Sequence, residues 1–361
     1  RYQMNEKSAV LLGVNVLFAY LNDLDGDFDT AVFDERFRPA AFGAAEIFRA
    51  LAQYVRFCSV ENEHSPFSAE MTRLRSFDST GCAFVIELKQ AEAVLLRREK
   101  LLEDLHKAGI YGGSVISIDP EDPGFTYEER VRNLQQWTQG YEDRLFPVAW
   151  IHPDEKDVFD KVRELSDMGV VAFKFIPTNY YVYDQRPLEV FSLIEELGKP
   201  IIFHSGILYD GQPSSEYFRP VAFEPLIGVP HLKFCLAHIS WPWCDECLAV
   251  FGKMRDAPWR LRDIGTGALN PDVPLMYIDT TPGPKTIWRR EAMAKIYQTH
   301  VRKPIADRLM FGTDNNVHDY RVAHTRTYVD FDDSLFREME LTERETDSYY
   351  RGALQSFLFG A

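Results

Sequence analysis

The sequence has few of the features that mark disulfide-stapled, membrane-spanning or nucleic-acid-binding proteins. Its 361 residues include only five cysteines, an odd number that does not indicate a disulfide framework. No apolar run reaches the roughly 18 to 20 residues that cross a bilayer, and the start lacks a convincing signal cleavage site. A net charge of −15 would repel phosphate backbones and acidic membranes. We therefore expect a soluble, cytoplasmic protein that binds neither nucleic acid nor membranes.

The chain also lacks a glycine-rich phosphate loop. No G-x-G-x-x-G follows the first clear candidate strand, AFVIEL at 83–88, which argues against an open, doubly wound nucleotide-binding sheet. From there onward, short apolar runs alternate with longer amphipathic stretches, a pattern typical of βαβ units with a parallel sheet. Counting AFVIEL as the first strand gives eight strands. We therefore predict an α/β fold, a (β/α)₈ TIM barrel, over residues 81–361.

The first 80 residues do not follow this alternation. The segment after Pro39 has apolar residues on one side of a predicted helix, whereas the apolar run near residue 10 fits a strand or a helix equally well. We predict that residues 1–80 form a largely helical extension or insertion. A helical cap and a contact within a homo-oligomer both remain open as its role.

Four of the predicted barrel strands end in polar, chemically useful residues. These ends occur in GVVAFKFIP (169–177), KPIIFHSG (199–206), LKFCLAHIS (232–240) and RLMFGTDN (308–315), which carry Lys174, His204, His238 and Asp314. The carboxyl ends of barrel strands share one rim, and active sites are built at that rim. We therefore expect the four side chains to lie close together.

Imidazoles and a carboxylate on rigid strand ends are a ligand set that suits zinc, manganese or iron. A single histidine at a strand end is more often a satisfied core residue, and Asp314 could instead cap the turn that follows it. Two histidines and an aspartate, all at strand ends in one half of the barrel, are much less easily explained by chance. The pattern favours a divalent metal near His204, His238 and Asp314.

Five segments in their observed order resemble the metal-dependent amidohydrolase superfamily, in particular its amidohydrolase-related TIM-barrel branch. They are GVVAFKF, KPIIFHSG, LAHISWPW, RLMFGTDN and the terminal YYRGALQSFLFG, and the resemblance covers roughly residues 100–361. It implies that His204 and His238 are metal ligands, that Asp314 is a metal ligand or general base, and that Lys174 is a lysine carboxylated in some members. It also implies attack of metal-activated water on an amide, ester or lactone.

One departure from the family is serious. Members of the superfamily normally carry His-x-His at the end of the first strand, and this pair occurs nowhere in the chain. Glu87 could correspond to half of the Glu-x-His found in some decarboxylases of the branch. Because the missing pair belongs to one of two metal positions, we predict a single divalent metal, zinc first, with manganese or iron as alternatives.

The loops after the predicted strand ends contain aromatic and polar residues that could bind a small organic acid or sugar. The candidates for substrate binding are Tyr181, Tyr209, Arg219 and His152, with His318 and Arg321 ranked lower. Packing of these loops on the barrel surface is the alternative. A C-x-x-C, Cys244 to Cys247, lacks the context of a redox or zinc motif and predicts a helix start with two half-buried thiols.

Our working hypothesis is a metal-dependent hydrolase of a small polar substrate, with His238 and Asp314 in catalytic roles. Two alternatives stay open. One is a nonoxidative, metal-dependent decarboxylase of a small organic acid. The other is a metal-free, degenerate barrel that only binds a ligand, which the missing His-x-His would favour.

Overall fold

Parallel strands alternate with helices along the part of the chain that the structure describes. The structure is a computed structural model, and it describes residues 98–117, 126–209, 213–260, 274–282, 286–298 and 305–360. The predicted N-terminal extension, the candidate first strand 83–88 and Glu87 lie outside these ranges. All described residues belong to one compact unit, Arg98–Ala361.

Seven strands occur in the described ranges. They are β1 (Gly113–Ile116), β2 (Leu145–Trp150), β3 (Ala172–Phe175), β4 (Ile201–Phe203), β5 (Lys233–Leu236), β6 (Leu275–Asp279) and β7 (Leu309–Met310). All neighbouring pairs are parallel, and the strand order in the sheet follows the chain order from β1 to β7. A sequential parallel sheet with intervening helices is consistent with the predicted TIM barrel.

The strands are short and apolar, and those after β1 are mostly buried, as expected where helices cover a parallel sheet. The central strands β3 and β4 have no exposed residue at all. Pairing places Lys174 opposite Trp150 on β2 and opposite Ile202 on β4. The sheet register therefore fixes the height of Lys174 relative to the neighbouring strand ends.

The helices lie between the strands, close to where the amphipathic pattern predicts them. They are α1 (residues 98–108), α2 (Tyr127–Thr138), α3 (Val158–Asp167), α4 (Gln185–Glu196), α5 (Cys244–Arg260), α6 (Thr286–Gln298), α7 (Val322–Glu338), α8 (Glu343–Asp347) and α9 (Ala353–Phe359). Thr126 begins α2 with a capping box, in which its hydroxyl accepts from Glu129 N–H while the Glu129 carboxylate accepts from Thr126 N–H. Two backbone N–H groups at the start of the helix thus each have a side-chain acceptor.

Two segments depart from a simple alternation of strands and helices. The helical region after β7 is divided: α7 ends at Glu338, and a π-helical turn, Ser348–Gly352, lies between α8 and α9. Glu340, with φ of +54°, breaks the helix because left-handed backbone cannot continue it. The long loop after β4 contains two 3₁₀ helices, Ser215–Phe218 and Pro220–Gly228.

Apolar side chains form two separate cores on the two faces of the sheet. The larger core packs the strands against the surrounding helices. The smaller core takes one buried residue from each of six strands and closes with three residues of α9: Val148, Ala172, Ile202, Cys235, Tyr277, Met310, Ala353, Phe357 and Leu358. Every helix with described residues is too short or too polar to span a bilayer.

Candidate active site

The candidate site lies one pleat beyond the smaller core, at the carboxyl ends of the strands. Side chains two residues apart on a strand point to the same face of the sheet. Ala172, Ile202 and Tyr277 belong to the smaller core. The residues two positions further along are Lys174, His204 and Asp279, and all three are buried. The alternation of β3, β4 and β6 therefore brings these polar groups to one rim.

His204 is buried, and one of its ring nitrogens has no hydrogen-bond partner in the described part of the chain. Its backbone N–H donates to Phe175 O at 2.9 Å, which ties the end of β4 to β3. Its Nε2 is buried without a hydrogen-bond partner among the described residues. Burial lowers the pKa of the imidazole well below its usual value, and the nearby His238 and Lys174 lower it further. His204 is therefore a neutral imidazole with an unused ring nitrogen.

His238 lies beyond the end of its strand, which corrects the expectation that it terminates β5. The strand ends at Leu236, and His238, Ile239 and Ser240 follow with φ of +63°, +49° and +52°. Three successive left-handed residues are unusual, and a β-branched residue in this region is a genuine outlier. Such strain is of order 1–3 kcal/mol per residue and accumulates at functional sites.

The two imidazoles face each other across neighbouring strands. Their ring centroids lie 4.9 Å apart, with the planes tilted by 60°. Phe218, from the loop after β4, packs edge-on against His204 with centroids 4.8 Å apart. Burial lowers the pKa of His238, while Asp279 and Asp314 act in the opposite direction. The sequence-based expectation that His204 and His238 lie together holds in the structure.

Lys174 lies on the same rim with 7% of its surface exposed. Burial lowers the pKa of its ammonium group, and the carboxylates of Asp279 and Asp314 oppose this effect. The lysine also lowers the pKa of both His204 and His238. These mutual effects place Lys174 in the same electrostatic cluster as the two histidines.

Asp314 follows β7 and is exposed to solvent, unlike the other strand-end groups. Its backbone is left-handed, with φ of +48°, a conformation that aspartate tolerates better than most residues. Its charge raises the pKa of Lys174, of His238 and of His324, so the carboxylate is close enough to act on the site. An exposed carboxylate beside one buried and one half-buried imidazole is suited to exchange protons with solvent.

Asp279 is a site residue that the sequence analysis missed. Its Oδ1 accepts from the backbone N–H of His238 and of Thr281, each at 3.0 Å, and also from the Thr281 hydroxyl. Its Oδ2 accepts from the Cys235 thiol at 3.7 Å. The available signal was an aspartate ending the apolar run LMYID, the same pattern that marks the end of β7.

A divalent metal fits part of this arrangement. The unpartnered Nε2 of His204 beside the His238 ring is the kind of donor pair that a metal ion binds. Within the described ranges, no three His, Cys, Asp or Glu side chains converge closely enough to hold an ion as they stand. Asp279 already has donors on both oxygens, which makes it a support for the site rather than a metal ligand.

The predicted substrate-binding residues lie in loops near the rim, and they differ in their contacts. Tyr181 stacks on Tyr183 with centroids 4.9 Å apart, and its hydroxyl donates to Glu216 at 2.9 Å. It therefore joins the loop after β3 to the loop after β4. Tyr209 is 84% exposed, in the latter loop.

Two other candidates are held by protein partners. Arg219 pairs with Glu246 on α5 at 3.3 Å. His152 Nδ1 accepts from Asp154 N–H at 3.1 Å, so its Nε2–H donates to Asn179 at 3.2 Å. Of the lower-ranked candidates, Arg321 contacts Asn315 at 3.2 Å and His318 packs edge-on against Trp137. These hydrogen bonds of Arg219, His152 and Arg321 go to residues other than His204 and His238.

The C-x-x-C motif begins a helix, as the sequence predicts, but only one of its two thiols is half-buried as expected. Helix α5 begins at Cys244, which is half-buried, while Cys247 is fully buried, and both are free thiols. Burial raises the pKa of Cys244 to about 11 and that of Cys247 to about 12. Protonated thiols of this kind are poor nucleophiles and poor redox groups.

A parallel sheet with ionisable groups gathered at its carboxyl rim defines an α/β enzyme, and comparison with known proteins gives its family. The model of the amidohydrolase family matches residues 109–352, well over half of the chain. The chain belongs to the amidohydrolase family. It is an enzyme of the amidohydrolase type, a hydrolase, and the resemblance inferred from the strand-end motifs is confirmed.

Solved structures similar to this chain include three hydrolases, all of low identity. A probable 2-pyrone-4,6-dicarboxylic acid hydrolase from Acinetobacter baumannii, with citric acid bound, is 14% identical with a TM-score of 0.47 and covers 73% of this chain and 89% of its own. Amidohydrolase 2 from Bifidobacterium longum subsp. infantis is 13% identical (TM-score 0.43; 72% and 85% covered). Dihydroorotase from Campylobacter jejuni is 11% identical (0.41; 72% and 76%). No curated protein sequence matches the chain.

Proposed function

We propose that this protein hydrolyses an amide, ester or lactone bond in a small polar substrate and uses one divalent metal held by His204 and His238, with zinc as the first candidate. The observation that carries the proposal is the buried, unpartnered Nε2 of His204 beside the His238 ring. A buried polar atom without a partner costs about 1–3 kcal/mol, and a ligand that satisfies it recovers that cost. Family membership supports the same chemistry.

The proposed reaction needs a water nucleophile, a polarised carbonyl and a group that moves a proton. A divalent metal bound here would supply Lewis acidity, which polarises a carbonyl and lowers the pKa of water towards about 7. Asp314 accepts the proton of the attacking water and returns it to the leaving group. Its exposure and its proximity to His238 suit this role.

Lys174 provides a further polar contact inside the site. Its buried amine lies among Asp279, Asp314 and the two histidines. As an ammonium group it pairs with an anionic oxygen of the substrate, and as a carbamate it would add a ligand for the metal. Tyr181 and Tyr209 then lie in the loops that border the substrate, with Tyr181 held by Glu216.

The test begins with elemental analysis of tag-free protein purified without chelators or added metal. We expect about one equivalent of zinc, manganese or iron, and we expect the His204→Ala, His238→Ala double variant to lose it. His106→Ala is the matched control, because His106 is exposed on α1, away from the rim. Metal-loaded protein is then assayed against panels of amides, esters, lactones and aromatic acids.

The outcomes separate the candidate functions. Hydrolysis products that depend on both histidines and on the metal support the proposal. Release of carbon dioxide from an aromatic acid would replace hydrolysis with decarboxylation. Protein that binds no metal even after reconstitution, and hydrolyses nothing, would overturn the proposal and leave a ligand-binding barrel.

A further inference from the structure

We infer that Asp279 and Thr281 are positioning residues that fix the tautomer of His238, so that Nδ1 carries the proton and Nε2 presents its lone pair. This inference deepens the proposed function, on which the role of that lone pair rests. The hydrogen-bond geometry itself depends on neither metal nor substrate. It joins the ends of two neighbouring strands, β5 and β6.

The hydrogen atoms available on Thr281 and His238 decide which ring nitrogen is protonated. The Thr281 hydroxyl has one hydrogen, and it donates to Asp279 Oδ1. Thr281 Oγ1 also lies 2.8 Å from His238 Nδ1. Because the only hydroxyl hydrogen is already used, the hydrogen in this second bond comes from Nδ1–H. The neutral imidazole then has its lone pair on Nε2.

Asp279 is held as an acceptor by its other partners. Two backbone N–H groups, of His238 and Thr281, donate to the same Oδ1 at 3.0 Å, and these groups can only donate. A proton on this oxygen would clash with them, so the Thr281 hydroxyl has to be the donor. The backbone bond to His238 also anchors the left-handed turn that carries the imidazole. One carboxylate therefore fixes both the position of the turn and the orientation of the ring.

The surroundings of Thr281 leave it little freedom to turn away. A Cβ placed on Gly312 would lie only 2.1 Å from Thr281 Cγ2, so the threonine methyl packs directly on the glycine backbone. On the other side, Thr280 is bound by Arg289, which donates to its carbonyl and, at 2.9 Å, to its hydroxyl. Residues 279–281 are thus held between α6 and the segment that follows β7.

The tautomer can be read directly by ¹⁵N NMR of the metal-free protein labelled at its nine histidines. The His238 resonances are assigned from the spectrum of His238→Ala. We expect Nδ1 to be the protonated nitrogen in the wild type. Thr281→Val, which keeps the shape and removes the hydroxyl, should abolish this preference, and Thr281→Ser, which restores the hydroxyl, should recover it.

A second measurement links the tautomer to metal binding. Supporting hydrogen bonds of this kind typically account for 10–100-fold in metal affinity. We expect zinc affinity, measured by competition with a chromophoric chelator, to fall by about that factor in Thr281→Val and to stay within a few-fold of wild type in Thr281→Ser. Equal losses in both variants would indicate a general packing defect and overturn the inference.

The two ideas fail in different ways. An Nε2–H tautomer in the wild type, or an Nδ1–H preference that Thr281→Val leaves unchanged, overturns the positioning role of Asp279 and Thr281, whether or not the enzyme is active. The expected tautomer in a protein that binds no zinc would keep this positioning role and overturn the proposed metal site.

Discussion

Arg289 and Asp332 form a bidentate ion pair from which solvent is wholly excluded. Arg289 Nε lies 2.7 Å from Asp332 Oδ1 and Nη2 lies 2.6 Å from Oδ2, and neither side chain has any exposed surface. The Tyr349 hydroxyl, from the π-helical turn, donates to Asp332 Oδ2 at 2.6 Å. The pair therefore joins α6, α7 and the π-helical turn behind the end of β6.

Arg289→Met should destabilise the fold strongly. The substitution leaves the Asp332 carboxylate buried without its counter-ion, and breaking such a pair costs about 3–5 kcal/mol. The free energy of unfolding from urea titration, followed by circular dichroism, measures the loss. Arg290→Met is the control, since Arg290 pairs with Glu338 at the surface and should contribute less than about 1 kcal/mol. Similar values for both variants would contradict the prediction.

Gly312→Ala should damage the site although it adds only a methyl group. The new Cβ overlaps Thr281 Cγ2 and pushes the threonine away from His238. We expect hydrolysis to fall by about 10–100-fold, the range for lost support of a metal-binding histidine. Gly113→Ala is the control, because nothing lies within 4 Å of a Cβ at that position.

A double variant tests whether Thr281 transmits the effect of Gly312. Thr281→Ser removes the overlapping Cγ2 and keeps the hydroxyl. Adding Thr281→Ser to Gly312→Ala should therefore recover part of the lost activity, even though each substitution alone is neutral or harmful. Purely additive effects would mean that the alanine acts through another neighbour.

Asp314→Asn should remove activity while leaving the fold intact. Asparagine tolerates the left-handed backbone at this position, and the side chain is exposed, so the free energy of unfolding should change by less than about 0.5 kcal/mol. Loss of the proposed proton-transfer group should lower kcat by about 10²–10⁴-fold. Asp319→Asn, an exposed neighbour, should retain full activity. A variant Asp314→Asn with wild-type kcat would exclude Asp314 as the general base.

The thiols of α5 should stay unreactive well above neutral pH. Their pKa values of about 11 and about 12 exceed the usual value because burial disfavours the thiolate. Folded-state pKa values above the unfolded value of about 8.5 give stability that is present below pH ~8.5 and is lost as the pH rises towards 11 to 12. Mass spectrometry of Cys244 and Cys247 after iodoacetamide treatment at pH 8 checks this. Rapid alkylation of both in native protein would contradict it.

Much of the candidate site could be predicted because its residues stand at the ends of short apolar runs that form buried strands. Lys174 and His204 lie on strand ends whose apolar runs are visible in the sequence, and the parallel order of the strands then brings them to one rim. The structure also gathers His238 with them, although its local geometry differs from the expectation.

The rest depends on contacts that a linear pattern does not contain. Asp279 meets the backbone of His238 across 41 positions of sequence, and Thr281 is confined by Gly312, just after the end of β7. The left-handed turn at His238 has no glycine or asparagine to signal it. Tertiary hydrogen bonding, rather than local preference, holds that turn in place.

The strained turn at His238, Ile239 and Ser240 makes thermal stability and catalytic activity compete. Glycine would adopt these dihedral angles without steric cost, so His238→Gly would relieve backbone strain and give up only a half-buried side chain. The same substitution would remove the imidazole from the site. Selection of this protein for heat tolerance alone would therefore tend to erode its active site first at this turn, whereas selection for activity would keep the strain.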